Sequence, residues 1–358
     1  MGKKIVIISA LSVGLALGLF GSAMLTAKTV IDLSAVGGIT VNLAEISSEV
    51  ESKADLNGPI IANSMALSNI TGYPIGKATI GSFPHFEAGI ALGAGFTNMK
   101  YFVDDSEASE NGSLPGITPN PVAHFGFGLA GGLDIIGKLF VLSQSMIDFG
   151  VESDIATLTH YNILSVGGKL RYNIMEKKTL IPFIFNFGGV TLSLGGDAMY
   201  GEIKVNGDYE AGFGDITIDY GSGDLPVPID FSGNYDARVL WGLISVTGQA
   251  VAYFDIMYLF SLYSGFGLTA NFGYFKMDFN GDGDLTTKDA GYIGVIGNGD
   301  VGTLNFTSQN TYRPYYLVPT YLIGLEVNLF VLKLTGETMV NLYNLEDVNA
   351  QVGVRIQI

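Results

Sequence analysis

The last ten residues of the chain alternate between apolar and polar or small side chains, from Asn349 to Ile358. A repeat of two is typical of a β-strand with one apolar and one polar face. Such a strand would end the chain as a free edge, which invites pairing with other molecules. A closed barrel removes the edge because its last strand pairs with its first. The ending therefore favours a β-barrel in which the last strand closes on a strand that begins near Phe83.

The same period of two recurs beyond Phe83, in runs longer than the roughly 5–6 residues of a typical soluble strand. A tilted membrane strand needs about 9–11 residues. We therefore expect an all-β fold, a transmembrane antiparallel up-and-down β-barrel of about ten strands, with up to 14 if a long loop hides spanning strands. The predicted strands are 83–97, 121–136, 138–150, 160–175, 179–197, 236–255, 258–277, 312–330, 332–345 and 347–358.

The predicted connections alternate in length, as they do in outer-membrane barrels. Short turns are expected near 136–138, 176–178, 255–257 and 330–332. Long extracellular loops are expected at 98–120, 198–235 and 278–311. Loop 198–235 could hold a further hairpin, either as an outward extension or as two more spanning strands.

The region before the barrel divides into two segments. Lys3 and Lys4 precede an apolar run, which is the layout of a signal peptide over residues 1–27; an uncleaved membrane helix is the alternative. Residues 28–80 contain a short amphipathic helical pattern and are predicted to form a periplasmic or lumen-plugging segment. A loosely ordered lead-in is the alternative for this segment. The barrel domain then covers residues 81–358.

Composition supports an envelope protein. The chain has 49 Gly, 22 Phe and 18 Tyr but only 15% charged residues, which fits a barrel with aromatic girdles at the membrane interfaces. It has no cysteine, which excludes disulfides, thiol catalysis and a lipoprotein anchor. The net charge of −16 argues against nucleic acid as a partner.

The terminal sequence from Gln351 to Ile358 resembles the C-terminal β-signal of outer-membrane barrels: a polar residue, Gly353 two positions later, then alternating hydrophobic residues. The resemblance implies the outer membrane of a Gram-negative-type bacterium and recognition of this strand by the outer-membrane assembly machinery. Ile358 departs from the pattern, which more usually ends in an aromatic residue. The helical lead-in and the Ala-Asn-rich piece Ile61–Ala66 loosely resemble spirochaete barrels related to the fatty-acid-transporter type, although the Asn-Pro-Ala of that family is missing.

A calcium site is predicted between Asp278 and Asp289. Calcium loops of twelve residues present oxygen ligands at positions 1, 3, 5, 7, 9 and 12, with glycine at position 6, where Gly283 stands. The segment resembles EF-hand and dockerin-type loops, although the flanking helices are absent. A weak Ca²⁺ site would order the 278–311 loop; an acidic surface loop is the alternative. The predicted ligands are Asp278, Asn280, Asp282, the carbonyl of Asp284, Thr286 and Asp289.

The lumen is predicted to hold charged side chains of both signs. In a narrow barrel these side chains would pair across the lumen and fill it; a selectivity or substrate-binding site is the alternative. The predicted lumen residues are His85, Glu87, Lys169, Arg171, Glu326, Lys333, Glu337 and Arg355.

Two functions follow from this sequence. The first is a narrow or plugged pore for small or hydrophobic solutes, surrounded by outer-membrane lipid. The second is a structural or surface-interaction barrel whose acidic, calcium-ordered loops contact other proteins. We do not expect an enzyme, because the chain has no Gly-x-Ser-x-Gly or other nucleophile motif. His85 or His124 near acidic residues leaves an outer-membrane hydrolase as a third, weaker hypothesis.

Overall fold

The computed structural model describes residues 30–32, 44–73, 76–81, 83–100, 113–146, 157–182, 184–219, 224–287 and 300–358. These residues form one helix of regular α type, α1 (Ala44–Asn69), and strands that all pair in one antiparallel sheet. The strands are β1 (Val30–Asp32), β2 (Phe86–Lys100), β3 (Ser113–Gly128), β4 (Leu133–Ser143), β5 (Thr157–Met175), β6 (Lys178–Ile181), β7 (Phe185–Asp219), β8 (Asp224–Ile256), β9 (Phe260–Thr286), β10 (Asp300–Tyr312), β11 (Leu317–Leu329), β12 (Leu332–Asn341) and β13 (Val348–Gln357).

Ten of these strands close into a ring in the order β2, β3, β4, β5, β7, β8, β9, β11, β12 and β13. The ring closes where β13 pairs with β2, from Val348 opposite Phe96 to Gln357 opposite Glu87. The Phe86 N–H donates to the carbonyl of Ile358 at 2.8 Å, so the pairing reaches the last residue. This confirms the predicted ten-stranded barrel and the predicted closure of the terminal strand.

The two faces of the barrel wall differ as a membrane requires. In β13, Val352 is 62% exposed on the outside, whereas Arg355 is 2% exposed and faces the lumen. The same alternation places Phe266 and Leu268 of β9 outside and the buried Thr269 inside. Exposed apolar side chains are stable on this outer face only if lipid covers them. The predicted orientation of the terminal strand is confirmed.

The two ends of the barrel are distinguished by their connections. One end, here called the inner end, carries the short turns at residues 129–132, 257–259 and 330–331. The outer end carries the longer connections, such as those that follow β2 and β9. In outer-membrane barrels the short turns are periplasmic and the long connections are extracellular.

The predicted turn at 136–138 is wrong. These residues lie in the middle of β4, and the chain turns instead at Ala130–Gly132, where Gly131 and Gly132 adopt φ of 74° and 76°. Positive φ is readily available to glycine, so this pair can reverse the chain. The strand boundaries at 136 and 138 shift accordingly, and Lys138 becomes a residue of the barrel wall.

The predicted long loops also need correction. Residues 198–235 are mostly strand: β7 and β8 pair out to Asp219 opposite Asp224, which is the outward-extension alternative. Residues 278–286 belong to β9 and 300–311 to β10, which pair beyond the outer end of β11. The strand predicted at 312–330 corresponds to β11, which begins later, at Leu317; of the predicted residues only Tyr312 belongs to β10. Loop 98–120 is shortened by β2 and β3 at its two sides.

The N-terminal segment lies largely inside the barrel. Residues 57, 58 and 61–73 are all buried, and α1 contacts strands on several sides of the lumen. The three-residue strand β1 pairs with β10 at Thr303–Asn305. The predicted signal peptide at 1–27 lies outside the described residues. Among the described residues, no helix is both long and apolar enough to cross a bilayer.

Candidate functional site: the plugged lumen

The structure places seven of the eight predicted lumen residues inside the barrel. Their exposed fractions are all 5% or less, so they are removed from bulk water. The seven are Glu87, Lys169, Arg171, Glu326, Lys333, Glu337 and Arg355. His85 is different: it precedes β2 at the inner end and is exposed there.

The centre of the lumen is a charged contact between the plug and the wall. Tyr73, just past α1, donates its hydroxyl to Asp197 Oδ1 of β7 at 2.5 Å. The ammonium of Lys138 on β4 lies 2.9 Å from the same oxygen, and both side chains of this ion pair are almost fully buried. Buried charges are tolerated when they are paired and hydrogen-bonded. Asp197 therefore links the plug to β7 and, through Lys138, to β4.

Lys138 also holds the end of α1 through the backbone. Its ammonium donates to the carbonyls of Asn69 and Thr71, the latter at 2.7 Å. These carbonyls follow the last helical turn, where backbone acceptors have no partner within the helix. The Lys138 and Lys169 ammonium groups lie 4.8 Å and 4.4 Å from the centre of the Tyr73 ring, which adds cation–π attraction from both. The lysine thus caps the helix while pairing with the wall.

The opposite wall holds the plug through Gln351 of β13. The Gly72 N–H donates to Gln351 Oε1 at 2.6 Å, and the amide nitrogen of Gln351 donates to Glu337 of β12 at 2.8 Å. Gly72 adopts φ of +94°, and a Cβ there would lie 2.3 Å from Val122 of β3. A residue without a side chain is therefore required where the chain leaves the helix.

A second anchor lies at the inner end of the lumen. Asp134 at the start of β4 accepts two hydrogen bonds from Arg171 of β5, at 2.8 Å and 3.0 Å. The backbone N–H of Ile80 and the hydroxyl of Thr79 also donate to Asp134. One carboxylate therefore neutralises a buried guanidinium and fixes residues 76–81 of the plug.

A third charged group closes the inner end next to the barrel seam. Arg355 of β13 lies 3.4 Å from Glu87 of β2 and 2.6 Å from Glu326 of β11. Gly76 of the plug packs against the Glu326 carboxylate so closely that a Cβ would overlap it. The ammonium of Lys333 donates to the carbonyl of Phe330 at 2.7 Å. The predicted pairing of opposite charges across the lumen is realised here among three strands.

The space between the described part of the plug and one side of the wall is small. A cavity of about 10 Å³ lies between α1 and strands β9, β11 and β12, which is room for about one water molecule. Its lining includes Leu67, Asn271, Thr320 and Asn341. A solute larger than water could not occupy this space without displacing the helix.

The predicted calcium loop is not formed by the described residues. Residues 278–286 run as an extended strand, paired with β8 on one side and β10 on the other. Alternate residues of a strand lie about 7 Å apart, so the predicted ligands cannot surround one ion. Gly283 pairs with Gly233 and Leu304 within the sheet. Asp289 lies outside the described residues, and no cluster of three or more metal-ligating side chains occurs in the described part of the chain.

The acidic residues of 278–286 instead belong to the outward extension of the sheet. Arg238 of β8 donates to Glu202 of β7 at 2.8 Å and lies 3.9 Å from Asp278 of β9. A cleft of about 380 Å³ lies over this face. Its lining includes Lys204, Asp236, Arg238, Asp278, Asn280, Thr307 and Gln309.

The residues that hold the plug were not predicted from the sequence: Tyr73, Asp134, Lys138, Asp197 and Gln351. The alternation of Ile135, Leu139 and Val141 on the lipid face would have pointed Asp134 and Lys138 inward. No sequence signal indicated that Asp197 would meet Tyr73, because they are 124 positions apart. His124, the other histidine considered, is 2% exposed in the lumen, and neither ring nitrogen has a hydrogen-bond partner among the described residues.

A family model matches nearly the whole chain, from residue 26 to residue 358, and its description is Lsa36-like. The chain belongs to the Lsa36-like family. No curated protein matches this Lsa36-like chain significantly. With the closed ring and the lipid-facing apolar surface, it is an outer-membrane β-barrel.

Several solved structures are similar to this Lsa36-like chain. The toluene transporter TbuX of Ralstonia pickettii is 12% identical, with 84% of this chain and 97% of that chain covered and a TM-score of 0.26. The translocator domain of the autotransporter NalP from Neisseria meningitidis is 9% identical, with 90% and 99% covered and a TM-score of 0.27. The outer membrane protease OmpT from Escherichia coli is 12% identical, with 77% and 97% covered and a TM-score of 0.29. Likeness at this level says nothing about what this chain does.

Proposed function

We propose that this protein is a closed outer-membrane barrel of a Gram-negative-type or spirochaete bacterium that presents its outward strand extension to other proteins. The observation that carries the proposal is the filled lumen. Residues 57–73 and 76–81 occupy it and bond to the wall along its depth. The cavity beside the described part of the helix holds about one water molecule, which is too small for a solute.

The size of the outward extension supports a role at the surface. Strands β7, β8 and β9 have 35, 33 and 27 residues, whereas about 9–11 residues suffice to cross the membrane. Each strand therefore continues well beyond the bilayer. The extension forms one continuous sheet with β10 and β1, so it is a more regular surface than separate loops would provide.

The charge of the extension indicates the chemistry of a partner. Several of its carboxylates are exposed, and the few cations beside them, such as Arg238 and Lys204, are already paired with Glu202. A surface of this charge attracts basic patches and repels acidic ones. The exposed carboxylates are Asp208, Asp236, Asp282 and Asp284.

Conductance in planar bilayers tests the closed lumen. The purified full-length chain is expected to insert without steady conductance, because the plug fills the barrel. A steady open conductance from the unmodified chain would overturn this part of the proposal.

Binding of a basic probe tests the surface role. Protein in neutral lipid nanodiscs is expected to bind poly-lysine, and Asp236→Asn combined with Asp282→Asn and Asp284→Asn should weaken that binding at least tenfold. The matched control replaces Thr303, Asn305 and Thr307 of β10 by alanine, which removes polar groups but no charge. Equal loss of binding in both variants would contradict the charge argument.

A plugged pore for small solutes is the second candidate, and the polar lumen wall favours it. Were the helix displaced, the lumen would be lined by hydrated charges such as Lys138, Lys169 and Glu337 rather than by apolar side chains. Such a wall suits polar solutes better than hydrophobic ones. Conductance that appears only in variants with a weakened plug would support this candidate.

A further inference from the structure

We infer that the N-terminal segment is threaded through the barrel, so that the chain before α1 emerges at the outer surface. A plug that enters from the periplasm and returns there would leave its upstream chain at the inner end. The contacts of α1 place that upstream chain at the opposite end.

The first contacts of the plug with the wall lie at the outer end of the barrel. Gly58 packs against the ring of Tyr312, the last residue of β10, which lies above β11 at the outer end. Asn63 then accepts a hydrogen bond from the backbone N–H of Tyr315 at 2.6 Å. Ser64 meets Thr118, which pairs with Gly95 in the outer half of β2.

The same direction continues past the helix. The Ser68 carbonyl accepts a hydrogen bond from Asn120, which lies two residues further inward on β3 than Thr118. The Tyr73–Asp197 contact follows in the middle of the lumen. Ile80 reaches Asp134, the second residue after the inner turn, and its carbonyl accepts from Gln357 at the end of β13. The contact partners thus move steadily from the outer end to the inner end as residue number rises.

The length of α1 carries its beginning beyond the barrel rim. Ala44–Asn57 are helical residues that precede Gly58, and α1 also contains Pro59. At 1.5 Å per residue the stretch before Gly58 is about 21 Å long, and Gly58 itself lies at the outer end beside Tyr312. The helical stretch before Gly58 is therefore long enough to reach beyond the barrel rim.

The pairing of β1 provides an independent observation. Val30, Ile31 and Asp32 pair with Asn305, Leu304 and Thr303 of β10. These partners are seven to nine residues beyond Tyr312 along the strand, or about 23–30 Å further out at 3.3 Å per residue. The helix length and the strand pairing therefore agree on where the N-terminal segment lies.

Threading constrains assembly of the barrel. The seam between β13 and β2 encloses the helix, so the helix must be in position before the seam closes or must pass through with it. It also makes residues 30–32 part of the surface, where β1 covers a stretch of the β10 edge that would otherwise be free to pair with another strand.

Two disulfide variants test the inference. Because the chain has no native cysteine, any disulfide within it must join the two introduced residues. Ile31→Cys with Leu304→Cys joins residues that are paired across β1 and β10 at the outer end. Ile31→Cys with Val331→Cys is the matched control, because Val331 lies in the inner turn and is exposed. After mild oxidation in intact cells, the first pair is expected to show a gel mobility shift reversed by reductant, and the second pair none. A crosslink in the second pair, or in neither, would overturn the threaded path.

Labelling from outside the cell provides the second measurement. Single variants Val30→Cys and Leu345→Cys, the latter in the exposed outer connection before β13, are expected to react with a bulky maleimide that cannot cross the outer membrane. Val331→Cys should react only after the membrane is permeabilised. Reaction of Val30→Cys that requires permeabilisation or unfolding would contradict a surface location.

Discussion

Lys138→Met isolates the contribution of the central charged contact to the retention of the plug. Methionine keeps most of the apolar stem of lysine but removes every hydrogen of the ammonium. Asp197 then loses its ion pair partner at 2.9 Å, and the carbonyls of Asn69 and Thr71 lose their donor. The variant therefore weakens the plug at the end of α1 without changing the outer face of the barrel.

The magnitude follows from the burial of the pair. Both side chains are 1% exposed or less, and removing one partner of a buried ion pair costs about 3–5 kcal/mol. The lost hydrogen bonds to the two carbonyls are not counted in addition to the ion pair, because contributions within one network do not add. At 1.4 kcal/mol per factor of ten, the plugged state should become about 10² to 4 × 10³ times less favoured. The plug should still be present, but should detach far more often.

Hydrogen exchange of the backbone amides measures this detachment. Amides of residues 62–69 should exchange about 10² to 4 × 10³ times faster in Lys138→Met than in the unmodified chain, whereas amides of β12 and β13 should be little changed. The matched control is Lys204→Met, whose side chain is 47% exposed and pairs with Glu202 at 3.2 Å. A surface pair contributes about 0–1 kcal/mol, so α1 should not respond. Exchange of α1 within threefold of the unmodified chain, or an equal response to both substitutions, would refute the reasoning.

Three further predictions concern other points of the structure. Asp134→Ala should expose the Lys77 bond to trypsin, because it leaves the Arg171 guanidinium unpaired at a cost of about 3–5 kcal/mol; unchanged cleavage would contradict the anchor. Gly72→Ala should cost about 1–3 kcal/mol of plug stability, measured by exchange of α1, while Gly196→Ala, whose Cβ would meet nothing within 4 Å, should cost little. Burial raises the pKa of the Asp347 carboxyl, in the connection between β12 and β13, above its ordinary 3.8, although hydrogen bonds from Thr97 and Asn341 oppose the shift. The folded state then binds the proton more tightly, so stability in urea should fall as pH rises from about 3.8 through the raised value; Asp347→Asn should remove that dependence.

The barrel itself was predictable because lipid and lumen impose a period of two on the sequence. The terminal strand shows this most clearly, since its apolar residues lie outside and Arg355 inside. The apolar face of the sequence also changes near Gly188 and Gly189, and β7 shows a register shift against β8 there. In each case the signal is local, because a strand with one face toward lipid and the other toward the lumen alternates apolar and polar side chains.

The outward extension was not predictable in the same way. Beyond the membrane both faces of β7, β8 and β9 can meet water, so the alternation of apolar residues no longer marks a strand. The loop conformation expected from Asp278 onward differs from the strand found at residues 278–286 for a related reason. Ligand positions 1, 3, 5, 7 and 9 of a calcium loop are spaced by two, and this spacing is also the repeat of one strand face. Asp278, Asn280 and Asp282 therefore satisfy both patterns, and only the pairing partners on β8 and β10 distinguish them.

The contacts of the plug depended on distances along the chain that no local pattern records. Tyr73 and Asp197 meet because the ring of strands brings β7 opposite the end of α1. Lys138 was assigned to a turn because Gly137 and a charged residue follow an apolar run, which is a common turn composition. In the barrel, Gly137 faces outward against the ring of Phe125, and Lys138 faces inward.

The polar and apolar contacts of the plug have different consequences when the helix leaves. The lumen charges would be hydrated again, so an unpaired Asp197 is costly only while the plug is in place. Ile61, Leu67 and Ile70 are each 5% exposed or less. Returning each of these side chains to water costs about 1.5–3 kcal/mol. The apolar residues and the charged pairs therefore both retain the helix in the lumen, and the charged pairs also fix its position and depth. It follows that breaking one pair makes the plug detach more often without unfolding the barrel, and that opening a pore requires a pull on the helix that outweighs the loss of its remaining contacts. The threaded path places the end on which such a pull could act at the outer surface, beside the extension proposed to meet the partner.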